Sequence, residues 1–192
     1  MLSRFRGALR PLVEDVARVF IRTGISPNAL TWLGLLVGVF TAISFAAKLP
    51  QVAGACLLVY GLFDIVDGAV ARLTFRESAF GGLLDSVADR YGEFLIYLGI
   101  IYGDLAALGL PSWAWGTLAL GGSFMVSYTR ARAELAGSGK LAVGLAERPE
   151  RILILAIGSL LAFTNYAVAL IAILSHLTAI HRLLVAKKRL ES

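Results

Sequence analysis

Six apolar runs, each closed by a short polar or Gly/Pro-containing break, follow one another between residue 26 and the C-terminus. They read as spans over 29–47, 52–72, 78–102, 111–133, 149–163 and 166–185, with breaks at Leu49-Pro50-Gln51, 74–77, 103–110, 137–144 and Thr164-Asn165. Runs of roughly 15–25 residues suit helices crossing an apolar layer about 30 Å thick. Period-two alternation is absent, which argues against a membrane barrel. Ser26-Pro27-Asn28 offers an N-cap and a proline at the first helical position, so a helix starts there. Ahead of it, Phe5, Leu9, Leu12, Val13, Val16, Val19 and Phe20 alternate with Arg4, Arg6, Arg10, Arg18 and Arg22. That spacing predicts an amphipathic helix lying in the membrane interface. It is no cleavable leader, because no continuous apolar stretch or small-residue cleavage site follows. The expected fold class is all-α: one integral membrane domain, with an interfacial helix over 1–25 and a bundle of six transmembrane helices over 26–192.

Composition sharpens this picture. The 192 residues are 58% hydrophobic with mean hydropathy +0.77, outside the range of a soluble domain. Charge is scarce, and its placement sets the topology. With both termini on the cytoplasmic side, only Lys48 among the 18 Lys and Arg residues falls outside, as the positive-inside rule requires. The expectation is a multi-pass protein of the cell membrane. Trp113 and Trp115 fit an aromatic belt at the outer surface. The net charge of +5 belongs to the membrane face, Lys187-Lys188-Arg189 included, and no nucleic-acid motif is present. Cys56, the single cysteine, has no internal disulfide partner and reads as core filler.

Against that apolar background stand Asp64, Asp67, Asp85 and Asp89. A carboxylate inside a span costs several kcal/mol unless a cavity, a counter-charge or a metal receives it. Asp64 and Asp67 share one face of span two; Gly68 clears space beside them and Arg72 closes the same face. Gly81, Asp85 and Asp89 share one face of span three. Both pairs lie roughly 5–17 Å from the cytoplasmic helix ends at the helical rise per residue. A short loop makes the two helices antiparallel neighbours, so the four carboxylates converge. Converging carboxylates repel one another unless cations neutralise them. Hard oxygen ligands without nearby His or Cys select Mg²⁺, Mn²⁺ or Ca²⁺, and two such ions form a clamp suited to phosphoryl transfer.

The string D-x-x-D-G-x-x-A-R-x8-G-x3-D-x3-D, filled by Asp64, Asp67, Gly68, Ala71, Arg72, Gly81, Asp85 and Asp89, resembles the signature of the CDP-alcohol phosphotransferase family. The resemblance implies a Mg²⁺-dependent membrane enzyme, with two ions and Mn²⁺ as a substitute. Such an enzyme transfers a phosphatidyl-type group from a CDP-linked lipid to an acceptor hydroxyl and releases CMP. It further implies Asp64, Asp67, Asp85 and Asp89 as metal ligands, with Asp89 also the catalytic base. Gly68 and Arg72, with Ser78 near them, would hold the CDP pyrophosphate. A homodimer is implied by the resemblance alone.

A second cluster bears on the acceptor. Arg148 and Arg151 of Glu147-Arg148-Pro149-Glu150-Arg151, Ser127, Arg130 and Arg132 of span four, and Arg182 beside His181 of span six all fall at cytoplasmic helix ends. Forked, permanently charged guanidinium groups suit a phosphate monoester. The same strings are similar to the inositol-phosphate-using branch of the family. In that branch, residues matching Ser127, Arg130, Arg132, Arg148, Arg151 and Arg182 are expected to bind the acceptor phosphate. Arg130 departs from the lysine some members carry there. The expected acceptor is myo-inositol 1-phosphate, with sn-glycerol 3-phosphate as the competitor wanting the same arginines. A cation transporter is the alternative of a different class. It gives no reason for Gly68 and Arg72, and the outer half of the spans offers no acid besides Asp104.

Overall fold

Proline, serine and left-handed helix ends mark out the elements. The structure is a computed structural model describing residues 6–141 and 143–191, with side chains at position 11 and from 13 onward. Seven helices make up the described residues: α1 (Arg6–Arg22), α2 (Pro27–Ala46), α3 (Pro50–Leu73), α4 (Ala79–Tyr102), α5 (Ser112–Leu135), α6 (Arg148–Leu160) and α7 (Thr164–Leu190). Arg4 and Phe5, and the side chains of Arg6, Leu9, Arg10 and Leu12, lie outside the described residues.

The expected N-cap stands. The Ser26 hydroxyl accepts from the Ala29 amide at 3.3 Å, and Pro27 opens α2. Pro50 opens α3 in the same way, so both helices begin two residues before the apolar runs do. Four helices end on a non-glycine residue in the left-handed region: Lys48, Phe75, Asp104 and Ala162. In each case the chain turns back and the next amide reaches a carbonyl five residues earlier, as Leu49 does to Ser44 at 2.9 Å. α6 stops this way at Leu160, three residues short of the expected span. α7 runs five residues past its span, because its last turn is tied down: Arg189 donates to the carbonyls of Ser138 and Lys140 at 3.3 and 3.0 Å.

The main packing contacts run in a ring, α2 to α3, α3 to α6, α6 to α7, α7 to α5, α5 to α4, and α4 back to α2. Consecutive α3 and α4 are not a principal pair in this ring, which corrects the neighbour relation expected from their short loop. Both pack on α2 instead, and a gap is left between them. Gly99 and Gly103 bring α4 close to α2, since a Cβ at either position would collide with the carbonyl of Ala42 or Phe45. An apolar core of Phe45, Leu57, Ile96, Ile100, Leu155, Val168 and Ile171 closes the half of the ring away from the basic helix ends. The other half is left polar. At that end α1 lays Val13, Val16, Ala17, Phe20 and Ile21 against Leu30, Val66 and Val70 of α2 and α3.

Three helices, α2, α3 and α7, are long and apolar enough to cross a membrane. α4 and α5 match α3 in length at 24 residues. The 13 residues of α6 reach only about 20 Å at the helical rise. Stripes of large apolar side chains face outward, such as Trp32, Leu36, Phe40 and Ile43 on α2 and Ile173, Leu177, Ile180 and Leu184 on α7. A water-soluble surface rarely carries contiguous patches of this kind, whereas lipid covers them at no cost.

Candidate functional site

The gap between α3 and α4 holds the acids. Carboxylate oxygens of Asp64, Asp85 and Asp89 lie within 4.8 Å of one another. Asp64 comes from α3; Asp85 and Asp89 are one helical turn apart on α4. Their small cavity is roofed by Thr31, Gly34 and Leu35 of α2 and walled by Tyr60 and Arg148. The fourth expected member stands apart. Asp67 accepts from the Thr31 hydroxyl at 2.8 Å and from the Gly68 amide at 2.6 Å, so α2 holds it at the rim, where it also borders a second cleft.

That second, larger cleft opens at the basic end of the bundle. Gly68, Arg72 and Ser78 all line it, together with Asn28, Arg76 and Gly81. Ser78 also N-caps α4, accepting from the Gly81 amide at 3.0 Å. The amides of that first turn carry partial positive charge toward the cleft. Asp67, Asp85 and Thr31 belong to both cavities, which therefore meet. An anion in the larger cleft reaches the carboxylates only if cations lie between.

Arg148, the first residue of α6, reaches into the acids. Its Nε donates to Asp64 at 3.0 Å, one Nη contacts Asp89 at 2.6 Å, and the other Nη donates to the Asp89 carbonyl at 3.0 Å. Tyr60 completes its surroundings, its hydroxyl accepting at 2.8 Å and its ring lying 5.2 Å from the guanidinium carbon. A Cβ at Gly92 would strike that hydroxyl; only glycine leaves Tyr60 in place.

The remaining acceptor candidates separate into two layers. Arg151 and Arg182 are each 2% exposed. Arg151 donates to Glu93 at 2.6 and 3.1 Å and to the Ala146 carbonyl at 2.8 Å. Arg182 donates to the carbonyls of Val143 and Val126 at 2.8 and 2.6 Å and to Glu147 at 3.0 Å. With Thr178, whose hydroxyl accepts from the amides of Leu145 and Ala146 at 3.2 Å, they pin the chain leading into α6. Arg130 and Arg132 are exposed. Arg130 pairs with Glu134 at 3.0 Å, and Glu134 also accepts from the Leu141 amide at 2.9 Å. Ser127 is half-buried and accepts from Arg90.

Sequence reasoning passed over Thr31, Tyr60 and Glu93. Glu93 extends the stripe of Gly81, Asp85 and Asp89 by one more turn, and that periodicity was the available signal. Tyr60 and Thr31 carried none, because their partners lie 88 and 36 residues away.

Chemically, hard oxygens converge here beside permanent cations, with no His or Cys lining either cavity. Three carboxylates this close fit a divalent ion of the Mg²⁺ or Mn²⁺ kind.

Residues 24–181 match the family model described as CDP-alcohol phosphatidyltransferase. The chain is 45% identical over 191 residues, covering 100% of itself and 99% of the relative, to archaetidylinositol phosphate synthase of Pyrococcus horikoshii. Its fold is similar to a crystal structure of Mycobacterium tuberculosis phosphatidylinositol phosphate synthase with CDP-DAG bound: TM-score 0.79, 26% identity, covering 92% of this chain and 94% of that one. A structure of the same mycobacterial enzyme in complex with manganese and citrate matches with TM-score 0.79 and 26% identity, over 91% of this chain and 88% of the other.

Proposed function

Because the chain belongs to the CDP-alcohol phosphatidyltransferase family, and is therefore an enzyme of phospholipid biosynthesis, we propose the following reaction for it. A phosphatidyl-type group passes from a CDP-linked lipid, CDP-diacylglycerol or CDP-archaeol, to myo-inositol 1-phosphate, and CMP is released. The observation that carries this reading is the meeting of two cavities. A cleft lined by Arg72, Arg76 and Ser78 shares Asp67 and Asp85 with the cavity of the carboxylate cluster.

In this reading Gly68 lets the pyrophosphate approach the backbone of α3, while Arg72 and Ser78 hold its oxygens from either side of the cleft. Asp64, Asp67, Asp85 and Asp89 would hold two Mg²⁺ ions, with Mn²⁺ able to replace them. When bound, such ions neutralise the pyrophosphate and the charge developing on CMP. Asp89 takes the proton of the acceptor hydroxyl as its oxygen bonds to the lipid-bearing phosphorus and the bond to CMP breaks. The acceptor phosphate lies among Ser127, Arg130, Arg132 and Arg148, with Arg151 and Arg182 as the buried layer behind them. The names of the relatives support inositol phosphate, and the forked donors suit any phosphate monoester.

The arrangement in the membrane follows. All helices from α2 to α7 span the bilayer, α1 lies in the interface, and both termini and the active site face the cytoplasm. The short α6 spans with help from residues 143–147 at its basic end. The working unit is a homodimer. The apolar core closing the far half of the ring speaks against a path for ions through the bundle.

The test is CMP release by purified protein supplied with a CDP-lipid and, separately, inositol 1-phosphate, glycerol 3-phosphate and serine. Release with inositol phosphate alone is the expected outcome, abolished by EDTA and restored by Mg²⁺ or Mn²⁺. Release with glycerol phosphate but not inositol phosphate would overturn the acceptor.

A further inference from the structure

Glu93 lies one turn beyond Asp89 on α4, 5% exposed, with cations on three sides. Its Oε1 is spent on Arg151, which approaches it twice. Its Oε2 is buried and makes no hydrogen bond among the described residues. That oxygen nevertheless faces Arg90 Nη1 at 3.6 Å and Arg148 Nη1 at 3.8 Å. Both distances fall just beyond a hydrogen bond, and a buried carboxylate oxygen in that position has a partner within reach and none engaged. The two arginines that face it serve the reaction site. Arg148 holds Asp64 and Asp89; Arg90 lies 3.5 Å from Asp89 and donates to Ser127.

A divalent cation held by Asp64, Asp85 and Asp89 would lie against the two carboxylates that Arg148 engages through one oxygen each, and its charge would repel the guanidinium. Cation binding therefore favours withdrawal of Arg148, and a guanidinium withdrawn into a buried region needs an acceptor. We propose that Glu93 is a positioning residue of the transfer reaction, its Oε2 being the berth that receives Arg148 when a divalent cation takes Asp64 and Asp89. Arg151 anchors the carboxylate from behind, so the berth is fixed while Arg148 moves. Glu93 thereby promotes cation binding and keeps Arg148 beside the acceptor's phosphate. This rests on the function proposed above for the same site.

The test is a double-mutant cycle read by Mn²⁺ binding to the purified full chain, followed by the paramagnetic signal of free Mn²⁺, with no lipid or acceptor present. Glu93→Gln is expected to weaken Mn²⁺ binding about tenfold, as loss of an outer-shell partner does. In an Arg148→Gln background the same substitution should leave the affinity unchanged, because no guanidinium remains to be received. An equal loss in both backgrounds would mean that Glu93 acts only as a distant negative charge, and no loss in the first background would mean that it receives nothing; either overturns the proposal. Glu93→Gln strands Arg151 in the core, so the cycle is repeated with Arg151→Met, which removes the stranded charge, and melting temperature is recorded for every variant. In the same variants the KM for inositol 1-phosphate should rise while that for the CDP-lipid stays constant; a rise in both contradicts the assigned role. If wild-type protein binds Mn²⁺ and passes the cycle yet releases no CMP with inositol phosphate, the acceptor assignment fails and this inference stands.

Discussion

Asp89 has the most demanding surroundings in the site. It shares Arg148 with Asp64, lies beside Asp85, and faces Arg90 at 3.5 Å. If it accepts the acceptor's proton, Asp89→Asn should lower CMP release by at least about 100-fold, the usual worth of a general base. The melting temperature should hold, since the amide keeps the shape and can still accept from Arg148. Turnover near wild type in this variant removes Asp89 from the chemistry. The four aspartates, Gly68 and Arg72 stood out by their helical spacing in an otherwise apolar stretch, whereas Ser78 and the roles assigned to all seven residues came from the family resemblance. Glu93 and Tyr60 were not legible. Each matters through an arginine 58 or 88 residues away, and only the packing of α6 against α3 brings that partner in. Arg151 and Arg182 were legible as cations but not as buried ones, since the groups they satisfy lie on α4, on α5 and on the chain entering α6.

Among the elements, α2 carries the architecture: it touches both α3 and α4 and so holds the two acidic helices apart by a fixed gap. Its contact with α4 depends on Gly99 and Gly103, where the helix backbones approach closely. Gly99→Ala forces a methyl group against the Ala42 carbonyl and should destabilise the protein by about 1–3 kcal/mol. Cation affinity should fall with it, because α4 carries Asp85 and Asp89. Ala162→Gly works in the opposite direction. Ala162 ends α6 at φ 62°, a conformation that costs a side-chain-bearing residue about 1–2 kcal/mol; the glycine variant should melt higher in a thermal scan with unchanged activity. Helix starts were legible to within about two residues through Pro27, Pro50 and Ser78. The relation of α3 to α4 was not, because a short loop fixes only that two helices are consecutive, and Gly99 and Gly103 at the end of α4 set that helix against α2.

For the molecule as a whole, polarity divides along the bundle axis. The apolar core seals one half, while acids and arginines collect in the other, next to the basic helix ends. Cysteine accessibility in vesicles tests the sidedness that follows from this. In a Cys56→Ser background, Lys140→Cys should react with an impermeant maleimide only from the cytoplasmic side, and Asp104→Cys only from the opposite side. Labelling of both from one side contradicts the six-span arrangement. The all-helical class was legible from run length and hydropathy, and the closed ring was not, since periodicity reports which faces are apolar but not which helix covers them. The most direct test of the account is anomalous scattering from crystals of the protein grown with Mn²⁺. The account predicts manganese peaks between α3 and α4, ligated by Asp64, Asp85 and Asp89 with Asp67 at the edge, and Arg148 drawn back from those oxygens. Manganese bound elsewhere, or Arg148 still paired with Asp64 and Asp89 at saturating Mn²⁺, would contradict it.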